Sequence, residues 1–396
     1  MTNTDKQKIQ EILSRGVEDV FVRDHLEKAL FSGKVLRIKF GIDPTGPKIH
    51  LGRAIPLRKL RALQDLGHQV ILIIGDFTAR IGDPSDKTEK RPVLTKKQVR
   101  DNMKNYKKSL AKIIDIKKAK IVYNSRWLSR LPFEKVIELA DSFSVKQMEN
   151  RRNFKERLER GDEVSLREFL YPLMQGYDSV VVGDYLEIGG FDQLFNLKAG
   201  RTIQKHYNML EQDILTTAML PGTDGRKMST SWGNVINITD APDDMFGKVM
   251  SIKDDLMMEY FLLCTGVSLG EMELIKKELS GGKNPRDIKM RLAYEIVSLY
   301  HGVKKADKAR NNFVSVFQKR DIPEEVVIIT AKSADVAMSL VENKIVASKS
   351  ELRRLISAGA ITHLEAKNKV TDIDYLNNHN GTYKIGSRRF VRIVNG

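Results

Sequence analysis

Hydrophobic residues along this chain fall into short continuous runs separated by helical stripes. Val35 to Gly41 (VLRIKFG) reads as a buried strand. The segment GIDPTGPKIHLGR turns the chain, and from Ala54 to Leu66 leucines recur at 57, 60, 63 and 66 with helical spacing. QVILIIG then reads as a second buried strand ending at Gly75. Strand, glycine-rich turn, helix, strand is a βαβ unit, which predicts a parallel sheet with a right-handed crossover. Asp178 to Asp184 (DSVVVGD) reads as a further strand, and GGFDQLFNLKAGRTIQKHY opens a helix after Gly190. Residues 1–220 are therefore expected to form an α/β domain. From 221 to 325 the pattern turns helical, with apolar faces in DDLMMEYFLLCTG and NPRDIKMRLAYEIVSLYHG, and QKRDIPEEV reads as a linker. The stretch 333–396 differs again: a short basic helix, SKSELRRLISAGAI, ends at Gly359, and strand-like pieces and a hairpin-like NNHNGTYKIGSRRFVRIV follow.

Composition narrows the class. The chain has 396 residues, and its 41% hydrophobic content excludes wholesale disorder. A single cysteine, Cys264, cannot form an internal disulfide or a thiolate metal site and reads as a core residue. The seven histidines show no zinc-ligand spacing, so no protein-bound metal is expected. The N-terminus is polar and lacks the apolar core of a signal peptide, and no run approaches membrane-spanning length. A cytoplasmic protein with no membrane attachment is expected. The formal charge of +16 calls for a polyanionic partner, whether nucleic acid, an anionic surface or phosphorylated substrates. That charge is concentrated: between Asp86 and Arg130 there are fifteen Lys and Arg against four acidic residues. A solvated helix face accounts equally well for Lys96 to Lys120 taken alone.

The residues with chemistry cluster around the first strand turn. Gly41 and Gly46 let the backbone bend or lie close to a ligand. Asp43 and Thr45 fall at the carboxyl end of a parallel strand, where α/β folds bind ligands. The following HLG opens a helix whose free N–H groups form an anion site, with His50 at that end and Gly52 clearing room for a flat ring. At 225–231, GRKMSTS combines a glycine, two cations and hydroxyl side chains in a phosphate-gripping loop. HLGR on a βαβ unit together with KMSTS resembles the HIGH and KMSKS signatures of class I aminoacyl-tRNA synthetases. GDFTARIGDPS (75–85), YPLMQGYDS (171–179) and GGFDQLFN (189–196) resemble the tyrosine-site signatures of bacterial tyrosyl enzymes. SKSELRRLISAGAI is similar to the RNA-binding module named after ribosomal protein S-four, which bacterial tyrosyl enzymes carry at their C-terminus and tryptophanyl enzymes lack. The resemblance covers nearly the whole chain.

The resemblance implies a Rossmann-type parallel-sheet catalytic domain, an α-helical domain and a small α+β RNA-binding domain. It implies that L-tyrosine and ATP form tyrosyl-adenylate and pyrophosphate, and that tyrosyl then passes to the 3′ end of its tRNA. Asp178 matches the acceptor for the substrate phenol; a buried carboxylate there would be left unpaired by phenylalanine. Tyr171, Gln175 and Asp83 match positions that hold the α-ammonium, and Thr78 and Gln193 match residues lining the same pocket. YxxxQxxD spacing puts Tyr171, Gln175 and Asp178 on one helix face. Gly41, Asp43, Gly52, Gly190 and Asp192 match positions around the adenylate, with Asp192 accepting from the ribose. Met219 and Leu220 match adenine contacts, and Met228 and Thr230 belong to the signature loop. Thr45, His50 and Lys227 match groups that stabilise the phosphates in the transition state, and Lys87 and Lys90 resemble cations that close over pyrophosphate. No side chain acts as a covalent nucleophile, so catalysis is positioning plus charge stabilisation. Mg²⁺ is implied only as a partner of ATP. A homodimer is also implied, with the basic stretch contributing to its interface and to tRNA binding.

Three positions depart from the family pattern. Arg53 replaces the second histidine of HIGH, and Thr230 replaces the second lysine of KMSKS. Arg53, Arg226 or the Lys87–Lys90 loop is the expected source of the missing charge. Lys39 and Phe40 occupy the stretch where a tyrosine would assist Asp178, leaving the second phenol contact open. Two competing readings follow from these departures: an RNA-binding splicing or structural cofactor built on the same scaffold, and a ligase for another aromatic amino acid.

Overall fold

A computed structural model describes residues 1–85, 93–183, 185–317, 326–331, 336–366, 368–386 and 389–395. Lys87 and Lys90 lie outside the described residues, as does nearly all of the expected linker. Contacts divide the chain into two compact units, 1–306 and 307–396.

The first unit is built on six strands: β1 (Val17–Phe21), β2 (Arg37–Ile42), β3 (Gln69–Ile74), β4 (Lys120–Tyr123), β5 (Leu186–Gly190) and β6 (Asp213–Thr217). Their order is β1-β6-β5-β2-β3-β4, with β1 antiparallel at the edge and every other pairing parallel. The predicted βαβ unit is present. Its strands β2 and β3 run in register from Arg37 opposite Gln69 to Ile42 opposite Ile74, joined by helix α1 (Leu51–Asp65). Val70, Ile71, Leu72 and Ile73 are buried, as a strand covered on both faces requires. The chain leaves β2 toward β3 on one side, while β5 pairs with β2 on the other. This reversal is a topological switch point, where strand ends diverge and leave a crevice.

Between β4 and β5 the chain forms helices that include α2 (Phe133–Ala140) and α3 (Arg152–Glu159), the last being α4 (Leu166–Val182). After β5, α5 (Leu194–His206) follows a single 3₁₀ turn. The expected strand at 178–184 is corrected here. Asp178 to Val182 close α4, Gly183 caps the helix at φ 59°, and the strand begins at Leu186. Helices Pro242–Met250, Met257–Cys264, Leu269–Ser280 and Pro285–His301 complete this unit. Cys264 is buried among them.

The second unit holds a five-stranded sheet of order β7-β11-β10-β8-β9, comprising Val327–Ala331, Ile361–His363, Asn368–Lys369, Gly381–Ile385 and Arg389–Asn395 in chain order. The expected hairpin is the antiparallel β10–β11 pair. The expected basic helix spans Lys349–Ser357, capped by Ser348, with Leu352 and Ile356 turned into a core shared with Leu340, Ile361, Tyr383 and Val391. No described helix of either unit is long and apolar enough to cross a membrane.

Candidate active site

A cavity of about 450 Å³ opens at the switch point between β2 and β5. Of the site residues expected from sequence, every one that is described lines it, from Gly41 in β2 and Asp43 just after it to Thr230 in the signature loop. Three local devices build its walls. The turn after β3 needs Gly75, because a Cβ there would lie 1.9 Å from Asp43 Oδ1. His50 is the N-cap of α1, its Nδ1 accepting from the Arg53 amide at 3.4 Å, so in the neutral ring Nε2 carries the proton. The loop 220–229 folds on itself through Met228 N–H to the Leu220 carbonyl. Asn234 secures it, accepting from the Ser229 amide and donating to the Lys227 carbonyl.

At one end lies Asp178, 5% exposed, on the face of α4 that also carries Tyr171 and Gln175. Trp127 Nε1 donates to Asp178 Oδ1 at 2.7 Å and Asn124 Nδ2 to Oδ2 at 3.2 Å. Burial pushes this carboxyl up to about 7, although the Lys39 charge and the Trp127 and Asn124 donors pull it down. Below it, Lys39 and Glu187 form an ion pair of 3.1 Å with both side chains 1% exposed. Lys39 also donates to Ser179, and Gln212 donates to Glu187. Gln175 Nε2 donates to Glu187 Oε1 at 3.2 Å, so the buried pair fixes the glutamine. Asp83 accepts from Gln193 at 2.6 Å and from Asn196 at 3.2 Å, and Arg151 donates to Asn196 Oδ1 at 3.1 Å.

At the other end, Lys227 Nζ donates to Asp192 Oδ2 at 2.9 Å, and a Cβ on Gly190 would meet the Asp192 carboxylate at 2.7 Å. Gly52 leaves open a space between the His50 ring and Leu220. Arg53 Nη2 donates to Thr45 Oγ1 at 2.8 Å. Arg226 turns to Asp224 at 2.6 Å and stacks over Trp232, so of the described candidates for the missing charge Arg53 is the one on the cavity wall. The two ends meet at Asp43, whose carboxylate accepts from Thr78 at 2.7 Å and from Tyr171 at 3.0 Å. Lys39, expected near the open phenol contact, is tied beneath the cavity, whereas Phe40 lines it. The sequence singles out none of Asn124, Trp127, Arg151 and Glu187, and carries Asn196 only as the last residue of GGFDQLFN. A lysine inside the apolar run of β2 is the available signal for the Lys39–Glu187 pair, because buried charge requires a partner. Among the described residues no group of three or more His, Cys, Asp or Glu is placed to hold a metal ion.

The arrangement suits an elongated substrate pair: a polar aromatic group reaching Asp178, a cation near carboxylates, and a nucleotide over glycines with its phosphates toward His50, Arg53 and Lys227. Residues 32–318 match the family model described as tRNA synthetases class I (W and Y). A tyrosine–tRNA ligase of Thermotoga maritima is 43% identical over 391 residues, spanning 98% of this chain and 97% of its own. That of Haemophilus ducreyi is 42% identical, spanning 98% and 99%. Among solved structures, a C-terminally truncated mitochondrial tyrosyl-tRNA synthetase of Aspergillus nidulans is similar with TM-score 0.65 and 26% identity, covering 78% of this chain and 94% of that one. The Archaeoglobus fulgidus tyrosyl-tRNA synthetase, solved with L-tyrosine, shares the fold with TM-score 0.61 and 22% identity, covering 77% and 99%.

Proposed function

The chain belongs to the class I tRNA synthetases of the tryptophan and tyrosine type, and from that premise we propose that it is an ATP-dependent tyrosine–tRNA ligase. The observation that carries the tyrosine reading is the buried Asp178 carboxylate on the cavity wall, held by two donors on the face of α4 that carries Tyr171 and Gln175. A tyrosine phenol donates to it, and phenylalanine would leave it unpaired.

The substrate α-ammonium is held among Tyr171, Gln175 and Asp83, with Thr78 and Gln193 completing that wall. The tyrosine carboxylate oxygen attacks the α-phosphorus of ATP, the bond to the bridging oxygen of the β-phosphate breaks, and pyrophosphate leaves. Thr45, His50, Arg53 and Lys227 stabilise the charge on the phosphates, and Lys87 and Lys90 add positive charge for the departing pyrophosphate. Gly41, Asp43, Gly52, Gly190 and Asp192 cradle the adenosine ribose and phosphate, while Met219, Leu220, Met228 and Thr230 border the base and the signature loop. ATP brings Mg²⁺ with it. A terminal ribose hydroxyl of tRNA(Tyr) then attacks the mixed anhydride and AMP leaves. Catalysis is positioning plus preorganised charge, with no covalent intermediate on the protein.

The basic segment and the stretch 333–396, read as an RNA-binding module of the S-four type with Arg353 and Arg354 on the exposed face of its basic helix, bind the tRNA. The basic segment also contributes to the interface of a homodimer working in the cytoplasm, and the exposed apolar side chains of Phe133, Ile137, Val145 and Leu166 further along the chain are available to it.

The test is tyrosine-dependent ATP–pyrophosphate exchange followed by aminoacylation of tRNA(Tyr). Exchange with tyrosine is expected without tRNA. No exchange with any amino acid would favour an RNA-binding cofactor, and exchange with a different aromatic amino acid would reassign the substrate.

A further inference from the structure

An arginine in place of a short, rigid imidazole poses a positioning problem. Its guanidinium sits at the end of a flexible stem and can face many ways. Arg53 is held at two points. Nη2 donates to Thr45 Oγ1 at 2.8 Å on the cavity wall, and Nη1 donates to Tyr106 Oη at 3.2 Å behind it. Tyr106 is 2% exposed and opens the short helix Tyr106–Leu110 within the basic segment. In the helix just before it, Lys96–Met103, Asn102 donates to the Pro44 carbonyl at 2.9 Å. The basic segment thus grips the 43–53 turn twice. Burial pushes the Tyr106 hydroxyl above its ordinary range, against the pull of Arg53, so it stays neutral and accepts from the guanidinium.

We propose that Tyr106 is a positioning residue for adenylate formation, locking the Arg53 guanidinium against Thr45 so that its charge faces the polyphosphate of ATP. The proposal rests on the reading of the cavity as a tyrosine adenylation site. Tyr106 exchanges no proton and touches no substrate; it acts through Arg53. Anchored at both ends, the guanidinium needs no reorganisation when charge develops on the departing pyrophosphate, the condition under which a fixed cation contributes most.

The experiment is tyrosine-dependent ATP–pyrophosphate exchange by the full chain and by Tyr106→Phe, Arg53→His and the double variant. Removing one hydrogen bond to a charged group should lower kcat about tenfold in Tyr106→Phe. The KM for tyrosine should be unchanged, because the phenol pocket lies at the other end of the cavity. In the Arg53→His background the second substitution should cause no further loss, since the group it positions is gone. Equal losses from Tyr106→Phe with and without Arg53 would overturn the proposal, as would an unchanged kcat. Equilibrium tyrosine binding separates a folding defect from a positioning one. If Tyr106→Phe binds tyrosine poorly, Arg53→Lys takes its place: a kcat loss comparable to that of Arg53→His supports the fork-shaped anchor, and wild-type kcat overturns it. A wild-type chain with no tyrosine-dependent exchange removes the underlying reading itself, an outcome distinct from an active wild type indifferent to Tyr106.

Discussion

At the scale of single residues, Asp178 controls the most testable behaviour. Its carboxyl is raised from 3.8 to about 7, first by burial. When ionised it accepts from Trp127 and Asn124 and still has lone pairs for a phenol. When protonated it must place a hydrogen where one of those donors points. The KM for tyrosine should therefore rise as pH falls from 8 to 6, approaching about tenfold per unit below the transition. Free tyrosine does not titrate its phenol in that window. Asp178→Asn should raise KM and flatten the profile, and a flat wild-type profile would contradict the assignment. The same raised value means that the folded chain holds this proton more tightly than the unfolded chain. Its contribution to stability is thus fullest below about pH 4 and is lost as pH rises toward 7. Asp178 is legible in the sequence through the resemblance of YPLMQGYDS to the tyrosine-site signature, with helical spacing placing it on one face with Tyr171 and Gln175. Asn124 and Trp127 were not: they lie 54 and 51 positions away and reach the carboxylate only because β4 pairs with β3 and ends beside it.

At the scale of elements, the βαβ unit was readable because its two strands are continuous apolar runs and its helix is a leucine stripe. The valine run at 180–182 was misread for the same kind of reason. A short β-branched run is equally at home in a strand and in a buried helix end, and only the length of the α4 pattern arbitrates. The true strand, LEIGG, carries a buried glutamate and two glycines and so lacks an apolar run of its own. Helix α4 is anchored by a capping box at Ser165 and Glu168 and by the buried Arg157–Glu168 pair. It packs on α5 at glycines. A Cβ on Gly176 would lie 2.6 Å from Ile203 Cδ1 and 3.0 Å from the Ala199 carbonyl oxygen. Gly176→Ala should gain helix propensity of about 1 kcal/mol. The clash with α5 backbone, about 1–3 kcal/mol, outweighs it because a carbonyl cannot swing aside as a side-chain tip can. Denaturant titration should show a net loss of stability. Because Gln175 and Asp178 flank the contact, the KM for tyrosine should rise as well. Unchanged stability would mean that α4 and α5 separate freely.

At the scale of the whole molecule, the charge of +16 is a statement about partners and says little about the cavity, which is lined by the carboxylates Asp43, Asp83, Asp178 and Glu187. Most of that excess lies between 86 and 130, and the last 64 residues carry ten basic against six acidic side chains. Tyr106 and Asn102 hold the basic segment against the 43–53 turn, so one stretch of chain touches the wall of the proposed adenylation site while exposing Lys104, Lys107 and Lys108. Adenylate formation uses small ligands inside a partly enclosed cavity, where screening changes pair energies little. Binding tRNA instead displaces condensed counterions from a polyanion, and its affinity falls as a power of salt concentration set by the number of phosphates neutralised. Aminoacylation at subsaturating tRNA should therefore weaken steeply between about 50 and 200 mM salt, by orders of magnitude if six or more phosphates are contacted. Tyrosine-dependent exchange, measured without tRNA over the same range, should change by much less. Replacing Lys104, Lys107 and Lys108, all exposed, by glutamine should flatten the salt dependence of aminoacylation and spare exchange. Equal slopes for the two reactions would show that the basic stretch is only a solvated surface and that tRNA is held elsewhere.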